Sequence, residues 1–167
     1  MSSETEFDPL LRFAEIEGLV AKVYFRFSHL FIDQPELRDF WWEMAKQEEQ
    51  HAAILVACKG VIENYPDESV DPSIGAEKAD ELRARLKAYL GQGIRSITLD
   101  KAFQTALEIE GSEIDAIYSK LLHLGGPKIA ETMANLGVPA SVQRHKLKSA
   151  LRRFSKNPKL LQAAARL

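Results

Sequence analysis

The feature that most constrains this sequence is a set of long segments in which apolar side chains recur in alternating steps of three and four residues. The segments run from about 9 to 32, 35 to 63, 99 to 123 and 127 to 156. Glycine and proline, which interrupt helices, lie mostly between these segments or at their first residues. Because this spacing aligns the apolar side chains on one face of an α-helix, the pattern predicts four long amphipathic helices.

The links between the segments indicate how the helices are connected. More than thirty residues separate the second segment from the third, and residues 76–90 within that stretch predict a shorter helix with a polar face. The other links are short, and Gly137 and Pro139 are expected to bend or split the fourth helix. This order predicts an all-α fold, a ferritin-like four-helix bundle whose long crossover carries a short extra helix between helices 2 and 3. Residues 1–167 are expected to form a single domain.

Acidic residues interrupt the apolar faces near the middle of three of the helices. They are Glu17 on the first helix, Glu48 on the second, and Glu110 and Glu113 on the third. His51 follows Glu48 by three residues, so the two side chains share one face. An ionised carboxylate in a helical core is costly unless it is paired or bound to metal, and the central faces carry no lysine or arginine. A pair of divalent cations would balance these charges, and oxygen ligands with one or two imidazoles suit iron or manganese better than structural zinc.

The composition excludes several other classes of protein. Lys+Arg is 22 and Asp+Glu is 24, for a net charge of -2, which gives the chain no strong attraction to nucleic acid or anionic lipid. A single cysteine, Cys58, rules out a disulfide framework and any four-cysteine zinc or iron–sulfur site within one chain. The acidic start MSSETEFDPLLRF lacks the order of a secretory signal, and no apolar run is long enough to span a bilayer. We therefore expect a cytoplasmic protein that binds neither nucleic acid nor membranes.

Three segments carry a resemblance to a known family: FAEIEGLVAKVYFRF, MAKQEEQHA and ALEIEGSEIDAIY. Over about residues 7–155 the chain resembles the di-iron domain of rubrerythrin, in the ferritin-like superfamily. The resemblance implies two irons, with manganese or zinc as alternatives, and Tyr24 and Tyr118 as hydrogen-bond partners that orient the carboxylates. It implies the following metal ligands on the first three helices: Glu17, Glu48, His51, Glu110 and Glu113.

The fourth helix departs from the family pattern, which places a second Glu-x-x-His there. His145 is its only histidine, and the residue three positions earlier is Val142 rather than glutamate. The apolar periodicity places Gln143 at the level of the site and turns His145 away, although Pro139 could reset the helical phase. His145 as a metal ligand and Gln143 at the site therefore remain two alternatives.

The resemblance implies a di-iron carboxylate oxidoreductase that reduces hydrogen peroxide, or that oxidises Fe(II) with dioxygen in a ferroxidase-type reaction. The alternatives are a ferritin-like protein that binds metal at a degenerate site without turnover, and a purely structural helical dimer. A rubredoxin domain, as in full-length rubrerythrins, needs four cysteines and is not expected in a sequence with one, so reduction would require an external electron-donor protein. A homodimer is expected, and because Trp41 and Trp42 are adjacent, one of them is a candidate for the contact between subunits.

Overall fold

The computed structural model describes residues 8–65, 67, 76–94, 97–112, 126–136 and 140–167. Within these residues all the regular structure is helical and there is no β-strand, so the prediction of an all-α fold is confirmed. The helices are α1 (Pro9–Leu30), α2 (Pro35–Asn64), α3 (Ala76–Gly91), α4 (Leu99–Glu110), α5 (Pro127–Leu136), α6 (Ala140–Phe154) and α7 (Pro158–Ala165).

Several helices begin at residues suited to a helix N-terminus. The Asp8 side chain accepts a hydrogen bond from the backbone N–H of Leu11 at 3.2 Å, and Thr98 and Asn157 cap α4 and α7 in the same way. These side chains satisfy N–H groups that have no partner within the helix. Proline, whose fixed φ suits the first turn, starts four of the helices: Pro9, Pro35, Pro127 and Pro158.

The core is built around the hairpin of α1 and α2, the most extensively packed pair of helices. Every position of the apolar face predicted for the first segment is buried, and so are the corresponding positions of α2 from Leu37 to Cys58. Burial of these two faces confirms the helical phase on which the placement of the acidic residues depends. The buried residues of the α1 face are Leu10, Phe13, Glu17, Val20, Tyr24, Phe27 and Phe31.

Helix α3 lies against α1 and is held there by ionic contacts. Arg12 pairs with Asp80 at 2.9 Å, and Arg83 pairs with Glu15 at 2.7 Å. Arg26 of α1 donates to the carbonyl oxygens of Tyr89, Leu90 and Gln92 at the C-terminal end of α3. A guanidinium group in this place satisfies carbonyls that have no partner within the helix.

The remaining helices complete the core around this hairpin. Helix α5 packs on α2, whereas α4 packs on α6 and α7. The third predicted helix is confirmed from Leu99 to Glu110, and residues 113–125 lie outside the described part of the chain. The fourth segment contains α5 and α6, and the bend or split expected at Gly137 and Pro139 lies outside the described part of the chain. None of the described helices combines the length and the hydropathy that crossing a bilayer requires.

Candidate metal centre

Glu17, Glu48 and His51 form a buried cluster between α1 and α2. One potential ligand atom from each residue lies within 4.8 Å of the other two. The residues are 5%, 3% and 8% exposed, respectively. Glu48 and His51 are one turn apart on α2, so their side chains leave the helix in the same direction. The structure thus brings together three of the residues that the sequence marks as metal ligands.

A small cavity lies beside this cluster and extends to two further helices. Its volume is about 20 Å³, enough for one water-sized sphere. Glu110 enters it from α4 and Gln143 from α6, and both side chains are buried. The full lining is Glu17, Val20, Glu48, His51, Ile109, Glu110 and Gln143. The cavity is thus surrounded by three carboxylates, an amide and an imidazole.

Tyr24 orients one of these carboxylates. Its hydroxyl donates a hydrogen bond to Oε1 of Glu110 at 2.7 Å, which joins α1 to α4 inside the core. The pKa of Tyr24 is raised well above its ordinary value by burial, and then by the negative charges of Glu110, Glu48 and Glu17. The hydroxyl therefore stays protonated and acts as a donor. This contact supports the hydrogen-bonding role predicted for Tyr24.

The Glu48 carboxylate has a polar neighbour at each oxygen. Gln143 donates from its side-chain nitrogen to Oε1, and Nδ1 of His51 lies 3.3 Å from Oε2. In the tautomer with a proton on Nδ1, this nitrogen donates a hydrogen bond to the carboxylate. In the other tautomer, Nδ1 has a free lone pair and acts as an acceptor or a metal ligand. The amide from α6 and the imidazole from α2 therefore fix the orientation of Glu48.

The structure does not bring His145 to the cavity. His145 is exposed on α6, whereas Gln143 is buried and Leu147 lies in the core. Each residue advances an α-helix by about 100°, so His145 points nearly opposite to Gln143. The helical phase is the reason that the ligand role given to His145 is not supported. Glu113 and Tyr118 lie outside the described residues.

The lining of the cavity fits a cation. It includes three buried carboxylates and, among the described residues, neither lysine nor arginine. Ionised carboxylates this close together repel each other in a medium of low dielectric constant. A bound divalent ion would remove the repulsion, and carboxylates with an imidazole are suitable donors for iron or manganese. Val20 and Ile109, which the sequence does not mark as functional, supply the apolar walls.

Comparisons with protein-family models, with curated proteins and with solved structures found no match for this chain. The functional assignment therefore depends on the residues and the geometry of the cavity.

Proposed function

We propose that this protein binds iron in the Glu17–Glu48–His51 cavity and acts as an oxidoreductase on hydrogen peroxide, or oxidises Fe(II) with dioxygen. The observation that carries the proposal is the convergence of two carboxylates and an imidazole at a buried cavity in the middle of the helices. Burial of several carboxylates costs free energy unless a cation balances their negative charge. A bound metal would supply that balance.

The resemblance to the rubrerythrin di-iron domain supports the same proposal, and with it a ferritin-like bundle. Its ligand pattern predicts that Glu17, Glu48, His51 and Glu110 face a common centre, and these four residues line one cavity. The pattern adds Glu113 as a further carboxylate and a second iron. The order of the described helices, with α3 inside a long crossover, is also what that bundle requires.

The residues of the cavity have distinct roles in this proposal. Glu17, Glu48, Glu110 and His51 would hold the metal, and iron supplies the redox electrons when it is bound. Tyr24 keeps its proton and fixes the direction of the Glu110 carboxylate. The amide of Gln143 does the same for Glu48, and Val20 and Ile109 add an apolar part to the lining. The chain thus provides a charged and oriented donor set.

Gln143 also favours a second candidate function, which is metal binding without turnover. The rubrerythrin pattern places a carboxylate on the fourth helix, and here the residue of that helix at the cavity is a neutral amide. A neutral amide in place of a carboxylate balances less of the positive charge of two metal ions. The affinity for a second metal is therefore weaker. A protein of this kind would retain one metal and leave peroxide unchanged.

The oxidoreductase proposal includes two protein partners. Cys58 is the only cysteine in the sequence, so a four-cysteine electron-transfer centre would lie outside these 167 residues, and we propose an external electron-donor protein. The second partner is another copy of the chain. Trp41 is fully buried, whereas Trp42 is 53% exposed and packs edge-on against Phe25, which makes Trp42 the candidate residue for the dimer contact.

Metal content after anaerobic reconstitution tests the proposal directly. Purified protein is incubated with Fe(II), desalted and assayed for iron per chain, alongside the variants Glu48→Gln and Glu49→Gln. Both variants lose one negative charge at neighbouring positions, but Glu48 is buried at the cavity and Glu49 is exposed. We expect Glu48→Gln to lose tightly bound iron and Glu49→Gln to retain it. Equal iron content in the two variants would show that the cavity is not the metal site.

A stoichiometric pulse of peroxide then separates the two candidate functions. If the protein is an oxidoreductase, the near-ultraviolet absorbance of the iron-loaded protein rises rapidly and peroxide is consumed. Retention of one metal with no spectral change would instead identify a binding protein. The Glu49→Gln variant serves as the positive control because it keeps the whole cavity.

A further inference from the structure

A second and larger cavity separates α3 from α4. It has a volume of about 320 Å³ and opens to solvent on one side. The two helices make little direct contact with each other, although the chain connects them through a short link. Protein interiors are normally close-packed, and clefts of this size are typical of sites for small organic ligands.

The cleft has an apolar floor and a charged rim. Leu82 and Leu86 of α3 and Ile109 of α4 are buried at its base, and Ile97 adds to this surface. Arg85 and Lys101 stand at the rim on opposite helices, and both are exposed. The lining therefore combines an aliphatic surface with two cations, which matches a ligand that has an apolar body and an anionic group.

Arg85 and Lys101 form no ion pairs within the part of the chain that the structure describes. Arg83 and Lys87, on the same helix as Arg85, pair with Glu15 of α1. No side-chain ion pair or hydrogen bond joins Arg85 or Lys101 to a described residue. The rim also carries Glu108, whose carboxylate accepts a hydrogen bond from Gln104 at 3.4 Å. The hydrogen bond from the neutral amide of Gln104 leaves the charge of Glu108 in place, so two cations and one carboxylate give the rim a formal charge of +1.

Ile109 connects this cleft to the metal centre. Its side chain lines both the cleft and the small cavity that holds the acidic cluster. Lys101 lies eight positions earlier on α4, which at 1.5 Å per residue is about 12 Å along the helix axis. A ligand with its anionic group at Lys101 would extend along the aliphatic floor and reach the Ile109 wall with its other end.

We propose that this cleft binds an organic carboxylate with an aliphatic chain. The carboxylate group is held between Arg85 and Lys101, and the chain lies on Leu82, Leu86 and Ile109. The far end of the chain then stands one side chain away from the Glu17–Glu48–His51 cavity. Binding in the cleft is independent of metal, whereas its significance as a site adjoining the redox centre rests on the function proposed above.

Titration of the metal-free protein with octanoate tests the binding site. Octanamide, which has the same chain and no charge, is the ligand control, and amide chemical shifts in ¹H–¹⁵N spectra report the affinity and the location. We expect octanoate to shift residues of α3 and α4 and to bind at least tenfold more tightly than octanamide. Equal affinities for the two compounds, or shifts confined to other helices, would overturn the proposal.

Variants of the two cations provide a second measurement. The double variant Arg85→Gln/Lys101→Gln removes the positive rim, and Lys148→Gln/Arg152→Gln removes the same charge from α6, away from the cleft. We expect the first to weaken octanoate binding about tenfold and the second to leave it unchanged. Equal effects of the two variants would show that net charge alone attracts the ligand.

Mn(II) loaded into the protein tests the orientation of the ligand. The terminal methyl protons of octanoate should relax more strongly than the protons beside the carboxylate, because the methyl end lies nearer to Ile109. The opposite order would overturn the proposed orientation. If Mn(II) does not bind at all, the metal function fails, whereas the titrations of the metal-free protein still decide whether the cleft binds carboxylates.

Discussion

Replacement of Tyr24 by phenylalanine isolates the hydrogen bond that orients Glu110. The ring of Tyr24 is fully buried, and its centroid lies 5.7 Å from that of Trp41 and 6.3 Å from that of Phe27. Phenylalanine keeps these ring contacts and removes only the hydroxyl. The hydroxyl donates to Glu110 at 2.7 Å inside the core. Hydrogen bonds to charged groups contribute about 1.5–3 kcal/mol, and we expect Tyr24→Phe to reduce the free energy of unfolding by that amount.

Tyr89 offers a matched control for the same chemical change. Its hydroxyl is also buried, but it has no hydrogen-bond partner among the described residues. Tyr89→Phe therefore removes a desolvated polar atom without breaking a bond, and its effect on the free energy of unfolding should be within ~0.5 kcal/mol of zero or stabilising. Thermal unfolding of the metal-free proteins, followed by circular dichroism, measures both variants. For a chain of this length, a loss of 1.5–3 kcal/mol lowers Tm by about 3–12 °C.

The pH dependence of the Tyr24→Phe effect provides a further test. The folded-state pKa of Tyr24 is raised by burial and by the surrounding carboxylates, so folding favours the protonated hydroxyl. The Tyr24 contribution to stability is therefore complete below the ordinary tyrosine pKa of about 10. It declines only as the pH rises above that value toward the folded-state pKa. Equal Tm shifts for Tyr24→Phe and Tyr89→Phe at pH 7 would refute the claim that the bond to Glu110 stabilises the core.

Three further predictions concern other contacts of the same core. Gln143→Leu removes the amide that orients Glu48 and should weaken metal binding about tenfold. Gln143→Glu should destabilise the metal-free protein and strengthen metal binding. Competition with a chromogenic chelator measures both metal affinities, and unchanged values would show that Gln143 is not part of the site. Lys59→Met breaks the 2.8 Å pair with Asp8, and we expect it to lower the free energy of unfolding slightly at neutral pH. Burial raises the pKa of Asp8, but the hydrogen bonds from Lys59 and the backbone outweigh this effect, so the pKa is lowered overall. The loss of stability caused by Lys59→Met should therefore be complete above pH 3.8 and should vanish as the pH falls below the folded-state pKa of Asp8. Urea titrations at several pH values measure this loss. Burial raises the pKa of the Cys58 thiol to about 11, so iodoacetamide at pH 8 should label Cys58 only as fast as the chain opens, and rapid labelling without denaturant would contradict its burial.

The buried faces of α1 and α2 could be predicted from the sequence because these two helices are long and uninterrupted. An unbroken helix has one phase, so the spacing from Leu10 to Phe31 determines which side chains share a face. That phase places Glu17 and Glu48 on the same buried faces as their apolar neighbours. The same spacing on α2 includes Trp41 and leaves out Trp42, and Trp41 is buried whereas Trp42 is 53% exposed.

The fourth predicted helix shows which kind of sequence argument was more informative. A motif argument pointed to His145, whereas continuation of the apolar periodicity from Ile129 pointed to Gln143. Ile129, Gln143 and Leu147 are buried and His145 is exposed, so these described positions agree with the periodicity rather than with the motif. The cleft between α3 and α4 could not have been predicted in this way. It depends on the separation of two helices, which their individual periodicities do not determine.

The hydrogen bonds at the cavity show how two of its carboxylates are oriented and what charge they keep. Tyr24 and Gln143 reach the carboxylates from two different helices, and each satisfies an oxygen with a neutral donor. Such donors lower the cost of burying Glu110 and Glu48, but they leave the negative charge in place. Carboxylate oxygens and an imidazole are suitable donors for a divalent cation, and the buried Glu17, Glu48 and His51 group could hold one. The same donors that orient the carboxylates therefore leave the charge that a metal would neutralise.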